Sequence, residues 1–280
     1  MQETPPWPEG KRMPVVFNIA YEAWSPSGSP AIGPMGNPLP SGLADTQAAS
    51  WGAYGSKRGI WRLIDLFYRH GVQATVFASA CLAERSPESL KRLAQDGHEV
   101  CGHGYTQDDL PPSHTEEEER ELIQHCTYLL STATGKRPVG WVSPRGTPSE
   151  NTHRLLAESG FAWHGDSFDE DLPYIQTFGE HQIIAIPLTM ELNDLPLYVR
   201  HGNPPRAMLE TFQDTFHWLY HQESSPGHID VTVHAHVFGR PYGAWVLDEI
   251  LRTVVGYPDV WTTTRARLAE WVLSREGITG

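Results

Sequence analysis

The chain has only three cysteines, Cys81, Cys101 and Cys126, and none stands in a CxxC spacing. That excludes a disulfide framework and a thiolate zinc knot, and leaves the thiols to be read as packing residues. No stretch approaches the ~20 apolar residues of a membrane span. The opening MQETPPWPEGKRMP also lacks the apolar centre of a secretion signal, so a cytoplasmic protein is expected. Basic charge is scarce too: 21 Lys plus Arg stand against 34 Asp plus Glu, a formal net charge of −13. A surface of that sign is poorly suited to phosphate backbones or anionic lipid, so neither nucleic acid nor a membrane is an expected partner. No GxGxxG follows an apolar run, which disfavours a dinucleotide site.

What is present is enough apolar material for a substantial core. The 280 residues include ten Trp, ten Tyr and nine Phe, and the hydrophobic set makes up 39 %. This suits a single domain over 1–280, with residues 1–14 as an arm. Val15 to Tyr21 is a short β-branched and apolar run, readable as a buried strand. Residues 25–56 are so dense in Gly, Pro and Ser that a long loop without regular structure is expected, serving as a lid or a subunit contact. Beyond it the chain alternates. Helical patterns at Gly59–His70, Ser86–Ala94, Thr115–Gly135, Ser149–Glu158, Pro205–His221, Gly243–Val255 and Thr264–Arg275 are interleaved with short strand patterns. Ser86-Pro87 reads as an N-cap and first-turn pair, and Thr115 with Glu118 as a capping box. A strand-loop-helix unit repeated about seven times implies parallel strands inside helices, in a closed or nearly closed α/β barrel.

In such a barrel the reactive groups come from the C-terminal ends of the strands. There the chain places Tyr21-Glu22, His103-Gly104-Tyr105, Pro144-Arg145, the acids from Asp166 to Asp171, Glu191 and Asp194, and His234 with His236. Carboxylates, imidazoles and one guanidinium converging from six elements point to a hydrolytic or acid–base site. His98 sits at the other end of its strand and reads as structural, whereas His103 is flanked by Gly102 and Gly104, which let backbone approach closely. His234 and His236 are two apart at a strand end and therefore point the same way.

These blocks, Gly97-His98-Glu99-Val100-Cys101-Gly102-His103-Gly104-Tyr105, Gly140-Trp141-Val142-Ser143-Pro144-Arg145 and Val231-Thr232-Val233-His234, resemble the polysaccharide deacetylase (NodB homology) superfamily. The tetrapeptide-sized segments Gly135-Lys136-Arg137-Pro138, Asp171-Leu172-Pro173-Tyr174, Asn193-Asp194-Leu195-Pro196 and Gly239-Arg240-Pro241 are similar to its branch of intracellular peptidoglycan-deacetylase-like proteins, metal-independent allantoinases and cyclic imidases. The resemblance implies a distorted (β/α)7 barrel, assembled as a homo-oligomer, tetramer or dimer, that hydrolyses C–N bonds. It also implies a departure. The position of the catalytic base in metal-using relatives is Ala20 here, a ligand position is Glu22, and Gln107 stands four residues after His103 where a second histidine would be. A neutral amide is a poor zinc ligand, so Glu22 and His103 leave the metal triad incomplete. The cofactor is either none or one divalent metal such as Zn²⁺.

The expected reaction is hydrolysis of a small amide, foremost a cyclic ureide or imide, by general acid–base attack of water. Glu22 serves as base or metal ligand, His103 as its partner, Arg145 as substrate or oxyanion clamp and His234 as acid. Substrate contacts are expected from Tyr21, Trp24, Tyr105, Asp171, Asp194 and His236. Two alternatives are a deacetylase of N-acetylated amino sugars or peptidoglycan fragments and a barrel that binds a small molecule without catalysis.

Overall fold

The computed structural model describes residues 7–36, 39–40, 42–222 and 227–275. Nine strands form one sheet: β1 (Met13–Tyr21), β2 (Thr75–Ala78), β3 (Glu99–Gly102), β4 (Gly140–Trp141), β5 (Trp163–His164), β6 (Tyr174–Phe178), β7 (His181–Ala185), β8 (Ile229–His234) and β9 (Val260–Thr263). Around them run α1 (Thr46–Tyr54), α2 (Ile60–His70), α3 (Leu82–Arg85), α4 (Pro87–Gln95), α5 (Glu116–Thr134), α6 (Thr152–Glu158), α7 (Arg206–His217), α8 (Pro241–Val255) and α9 (Arg265–Arg275). The strand order is β6-β7-β5-β4-β3-β2-β1-β8, with β9 beside the first half of β1. All neighbours are parallel except the β6–β7 hairpin. The sheet curls until the segment after β7 meets β8 at the bridge Asn193–Thr232, which makes the expected (β/α) barrel, distorted and closed by a single bridge.

Strand parity divides the core in two. Along β1, Val15, Phe17, Ile19 and Tyr21 pack outward with the helices, while Val16 and Ala20 join Phe77, Cys101, Val142, Trp163 and Ile184 inside the barrel. The two-residue strands β4 and β5 are spanned by indoles lying across glycines. A Cβ on Gly102 would come within 2.2 Å of the Trp141 ring, and one on Gly140 within 1.9 Å of Trp163. The three cysteines are buried and unpaired.

Several local expectations change. Within 25–56, residues 46–54 are helical, capped by Asp45, whose carboxylate accepts from the Ala48 amide at 2.8 Å. The cap and the Gln47-Ala48-Ala49 run were the available signal, masked by the breakers on either side. Strand β6 had no counterpart in the sequence reading, and it is antiparallel and only half-buried. Ser86 does not cap α4; its hydroxyl turns to the Glu88 carboxylate instead. The pattern read as Pro205–His221 ends its α-helix at His217 and continues as a π-helical turn. The Thr115–Glu118 capping box forms as expected.

The lower half of the barrel interior is polar. Arg265, at the start of α9, is fully buried; its guanidinium pairs with Asp230 and reaches Asn18 Oδ1 (3.1 Å) and the Ile186 carbonyl (2.8 Å). Its plane also lies near the rings of Phe77 and Trp163. Glu99 receives the amide of Ala266 at the helix start, together with Thr75 and Trp163. This plug carries α9 and forms the base on which the site is built. Breaking one partner of such a pair costs about 3–5 kcal/mol. Arg265→Met is therefore expected to lower unfolding free energy by about that amount in urea titrations, and a change within experimental error would refute the plug's role.

Candidate active site

The inward phase of three strands runs on into the loops above the plug. On β1, Asn18 and Ala20 are followed by Glu22; on β8, Asp230, Thr232 and His234 are followed by His236; on β3, Cys101 is followed by His103. Above the floor of Ala20, Phe77, Val142 and Thr232 lies a cavity of about 300 Å³ that Glu22, His103, His234, His236, Trp24 and Arg145 all line. One wall is Ser29 to Ile32, from the long segment after β1. That segment is latched by Asp108, which accepts from the Ser25 amide at 2.9 Å and from its hydroxyl.

The centre is a buried carboxylate ringed by imidazoles. Glu22 Oε1 lies 3.6 Å from His103 Nε2 and 3.7 Å from His234 Nε2, and Oε2 lies 3.6 Å from His236 Nδ1. These are ion-pair separations rather than direct hydrogen bonds. Burial pushes the Glu22 carboxyl up, but His234 foremost, with His103 and His236, outweighs it and holds the group at about 2. His234 is backed by the fully buried Asp194. Its Nδ1–H donates to Asp194 Oδ1 at 2.6 Å, while the other oxygen accepts the amides of His234 and Phe238. Burial opposes charge on this ring, yet Asp194 and then Glu22 raise its pKa above the ordinary histidine value. His103 donates Nδ1–H to the Val142 carbonyl at 2.8 Å, so its Nε2 faces the cavity. His236 is different: both ring nitrogens are buried without a hydrogen bond, Trp51 and Trp24 meet it edge-on, and burial holds it down at about 3.

Arg145 is the one non-glycine among the described residues with positive φ (59°), a conformation that costs about 1–3 kcal/mol and commonly marks functional positions. Gln107 holds it there. The Gln107 amide donates to Ser79 Oγ (3.1 Å) and the His103 carbonyl (2.9 Å), and its oxygen accepts from the Arg145 amide (3.3 Å).

Other residues singled out in the sequence lie elsewhere. Tyr21 points outward by strand parity, its hydroxyl 2.9 Å from Ser89 Oγ. Tyr105 turns to Glu84 and the His125 ring, and Asp171 is exposed outside the cavity. Asp194 acts on His234 and does not line the cavity. His98 accepts the Ala74 amide beneath the sheet. The sequence reading had no signal for Phe168, Met190 or Arg200, which line the cavity from segments after β5 and β7; Asn193, the first residue of the Asn193-Asp194-Leu195-Pro196 segment, lines it as well.

The donor set does not fit a metal here. Among the described residues, His153, His164 and Asp166 are the one group of three or more candidate ligands whose donor atoms all lie within 4.8 Å of one another, so Glu22 with any two of its imidazoles does not qualify. Gln107 is committed on both sides of its amide. The His153 and His164 rings are stacked 3.8 Å apart and 19° from parallel. Their in-plane lone pairs therefore cannot both address one ion.

Comparison with known proteins gives a consistent picture. The family profile described as polysaccharide deacetylase matches residues 53–163. A peptidoglycan deacetylase of Helicobacter pylori is 26 % identical, covering 81 % of this chain and 87 % of its own. The crystal structure of a probable polysaccharide deacetylase from Pseudomonas aeruginosa PAO1 is 30 % identical over 99 % of this chain and 96 % of that one, with a TM-score of 0.86. PuuE allantoinase is 28 % identical over 99 % and 95 %, with a TM-score of 0.89.

The buried imidazoles make stability pH-dependent. His98, His153, His164 (about 3), His228 (about 4) and His236 (about 3) are lowered chiefly by burial, and His234 alone is raised. Below the ordinary histidine value of about 6.5 the unfolded chain takes up protons that the folded one refuses, so stability falls as pH drops. Glu22 acts in the same direction: its contribution is present above about 4.5 and is lost as pH falls toward about 2. His234 has the opposite sign, contributing below about 6.5 and losing that contribution as pH rises through its own value. Denaturant midpoints are expected to decline steadily from about pH 7 to about pH 4, and a flat profile would contradict these assignments.

Proposed function

The chain belongs to the polysaccharide deacetylase family, whose members hydrolyse C–N bonds, and from that premise we propose that it opens a small cyclic amide, a ureide or imide, by acid–base attack of water. The observation that carries this reading is the Glu22 carboxylate facing three imidazoles, one of them backed by Asp194, with no three of these donor atoms all within 4.8 Å of one another among the described residues. The cavity of about 300 Å³ is of a size for a small molecule.

A water touching both Glu22 Oε1 and His103 Nε2 at about 2.8 Å would sit at the apex of a triangle whose base is their separation. There the carboxylate and the ring together draw off its proton as it adds to the carbonyl carbon. At about 2, Glu22 is a weak base while His234 is charged. Transfer of the His234 proton to the departing nitrogen removes the largest charge holding Glu22 down, so the two proton movements assist each other. Arg145, at the mouth, is a donor available to the substrate or to the developing oxyanion.

The reading extends to the surroundings. The net charge of −13 supports a dissolved small-molecule substrate rather than nucleic acid or a membrane surface, and among the described residues no helix is long and apolar enough to cross a membrane. We also propose a cytoplasmic homo-oligomer in which the segment 25–56 serves as lid or subunit contact. A second reading, deacetylation of an N-acetylated amino sugar, is favoured by the names of the Helicobacter and Pseudomonas relatives.

Glu22→Gln and His234→Ala are each expected to lower kcat/KM by about 10²–10⁴-fold; losses of only a few-fold would defeat the roles assigned. Asp194→Asn removes what raises His234, so the alkaline limb of the rate profile should move to lower pH, and an unmoved limb argues against His234 as the acid. A chelator is expected to leave ring opening unaffected; loss of activity that Zn²⁺ restores would overturn the metal-free scheme. Acetate release from N-acetylglucosamine oligomers, without opening of hydantoin, succinimide or allantoin, would establish the second reading.

A further inference from the structure

Four ionisable groups other than the imidazoles line the cavity: Glu22, Asp108, Arg145 and Arg200. The two acids are engaged, Glu22 by its imidazoles and Asp108 by the amide and hydroxyl of Ser25. The two guanidiniums are not. Both are exposed at the mouth, and neither side chain makes an ion pair or hydrogen bond with any described residue. They arrive from different directions, Arg145 from the loop after β4 and Arg200 from the end of a π-helical turn after β7. Two uncommitted cations at one cavity are notable in a chain with 34 acids against 21 bases. The backbone of Arg145 is held in the left-handed region by the Gln107 contact, so this guanidinium starts from a constrained position.

We propose that Arg145 and Arg200 form an anion subsite, and that the substrate is an amide bearing a carboxylate. This rests on the reading of the site as a hydrolase of cyclic amides and names the substrate class within it. The two arginines share the cavity lining with the apolar Phe168, Leu188, Met190, Leu195 and Pro196. In such surroundings a carboxylate is costly unless paired, and a bidentate guanidinium is the geometric match for it. The reaction has the same polarity. Water adds across the C–N bond, its oxygen to the carbonyl carbon and a proton to the nitrogen, and the ring-opened acid ionises to a second carboxylate. Amino-sugar deacetylation also yields a carboxylate, but as free acetate, while the sugar itself is left with an amine that gains a proton and that two guanidiniums repel.

The test is calorimetric binding and turnover of hydantoin-5-acetate and its neutral methylamide, with succinate as a separate probe, in the wild-type protein and in Arg200→Gln and Arg145→Gln. Arg200 is exposed, so its substitution is expected to keep the wild-type melting temperature. The acetate is expected to bind at least about tenfold more tightly than the methylamide, a bidentate charged contact being worth that much. Arg200→Gln should erase this preference while leaving the methylamide within about twofold, and should weaken succinate in parallel. Equal binding or equal kcat/KM for the charged and neutral rings, unchanged by Arg200→Gln, overturns the subsite while leaving the cyclic-amide reading intact. Arg200-dependent succinate binding without opening of either ring upholds the subsite and defeats the cyclic-amide reading. Succinate binding indifferent to both substitutions, with neither ring bound, overturns the subsite outright.

Discussion

A carboxylate taken out of water must be compensated, and the compensation of Glu22 organises the upper half of this molecule. His234 foremost supplies it, with His103 and His236 completing the ring around the carboxylate and none of the three in direct hydrogen-bonding range. Because each remains about 3.6 Å away, the anion is held without being neutralised by a single partner. That leaves room for a small polar molecule between the groups. Asp194 then distinguishes His234 from the other two by anchoring its Nδ1–H, so one ring is kept as a proton donor. His103 is turned by the Val142 carbonyl, and His236 is enclosed by indoles and kept neutral. Chemically similar side chains are thus given different states by what lies behind them.

This arrangement depends on the barrel beneath it. The Arg265–Asp230–Asn18 plug and the carboxylate of Glu99 at the start of α9 fill the lower interior with satisfied polar groups. Indoles crossing Gly102 and Gly140 allow very short strands to continue the curl. The plug thereby closes the interior beneath the cavity. Gln107 braces the upper level: it ties the backbone of His103 to that of Arg145. An amide at this position makes mechanical sense, since it donates twice, to Ser79 and the His103 carbonyl, and accepts once, where a neutral imidazole has a single donor.

Family membership sets the chemistry as C–N hydrolysis on a (β/α) barrel, and related proteins carry it out on different substrates. Much of the cavity's surroundings in this chain comes from loops. The wall from Ser29 to Ile32, the Trp24 and Trp51 rings about His236, and the two arginines at the mouth all come from segments outside the strands. Such segments can change while the carboxylate and its imidazoles remain.

Much of the barrel was legible in the sequence because its cause is local: alternating apolar runs, glycine stops and the Thr115–Glu118 cap each report their own segment. Strand-end position likewise picked out Glu22, His103 and His234, because parity carries the inward phase of a strand to its end and a residue beyond, and it picked out Arg145, four residues past β4, from the loop that follows the strand. The same parity, applied to Tyr21, would have turned it outward. Helix α1 was hidden because breakers dominate its flanks, and β6 because a half-buried antiparallel edge has no strong pattern of its own. Only the tertiary structure decided that Asp194 stands behind His234, that Gln107 braces Arg145 and that Arg200 reaches the same mouth. Those relations join residues about 40 positions apart or more, and nothing in either local stretch encodes the distance between them.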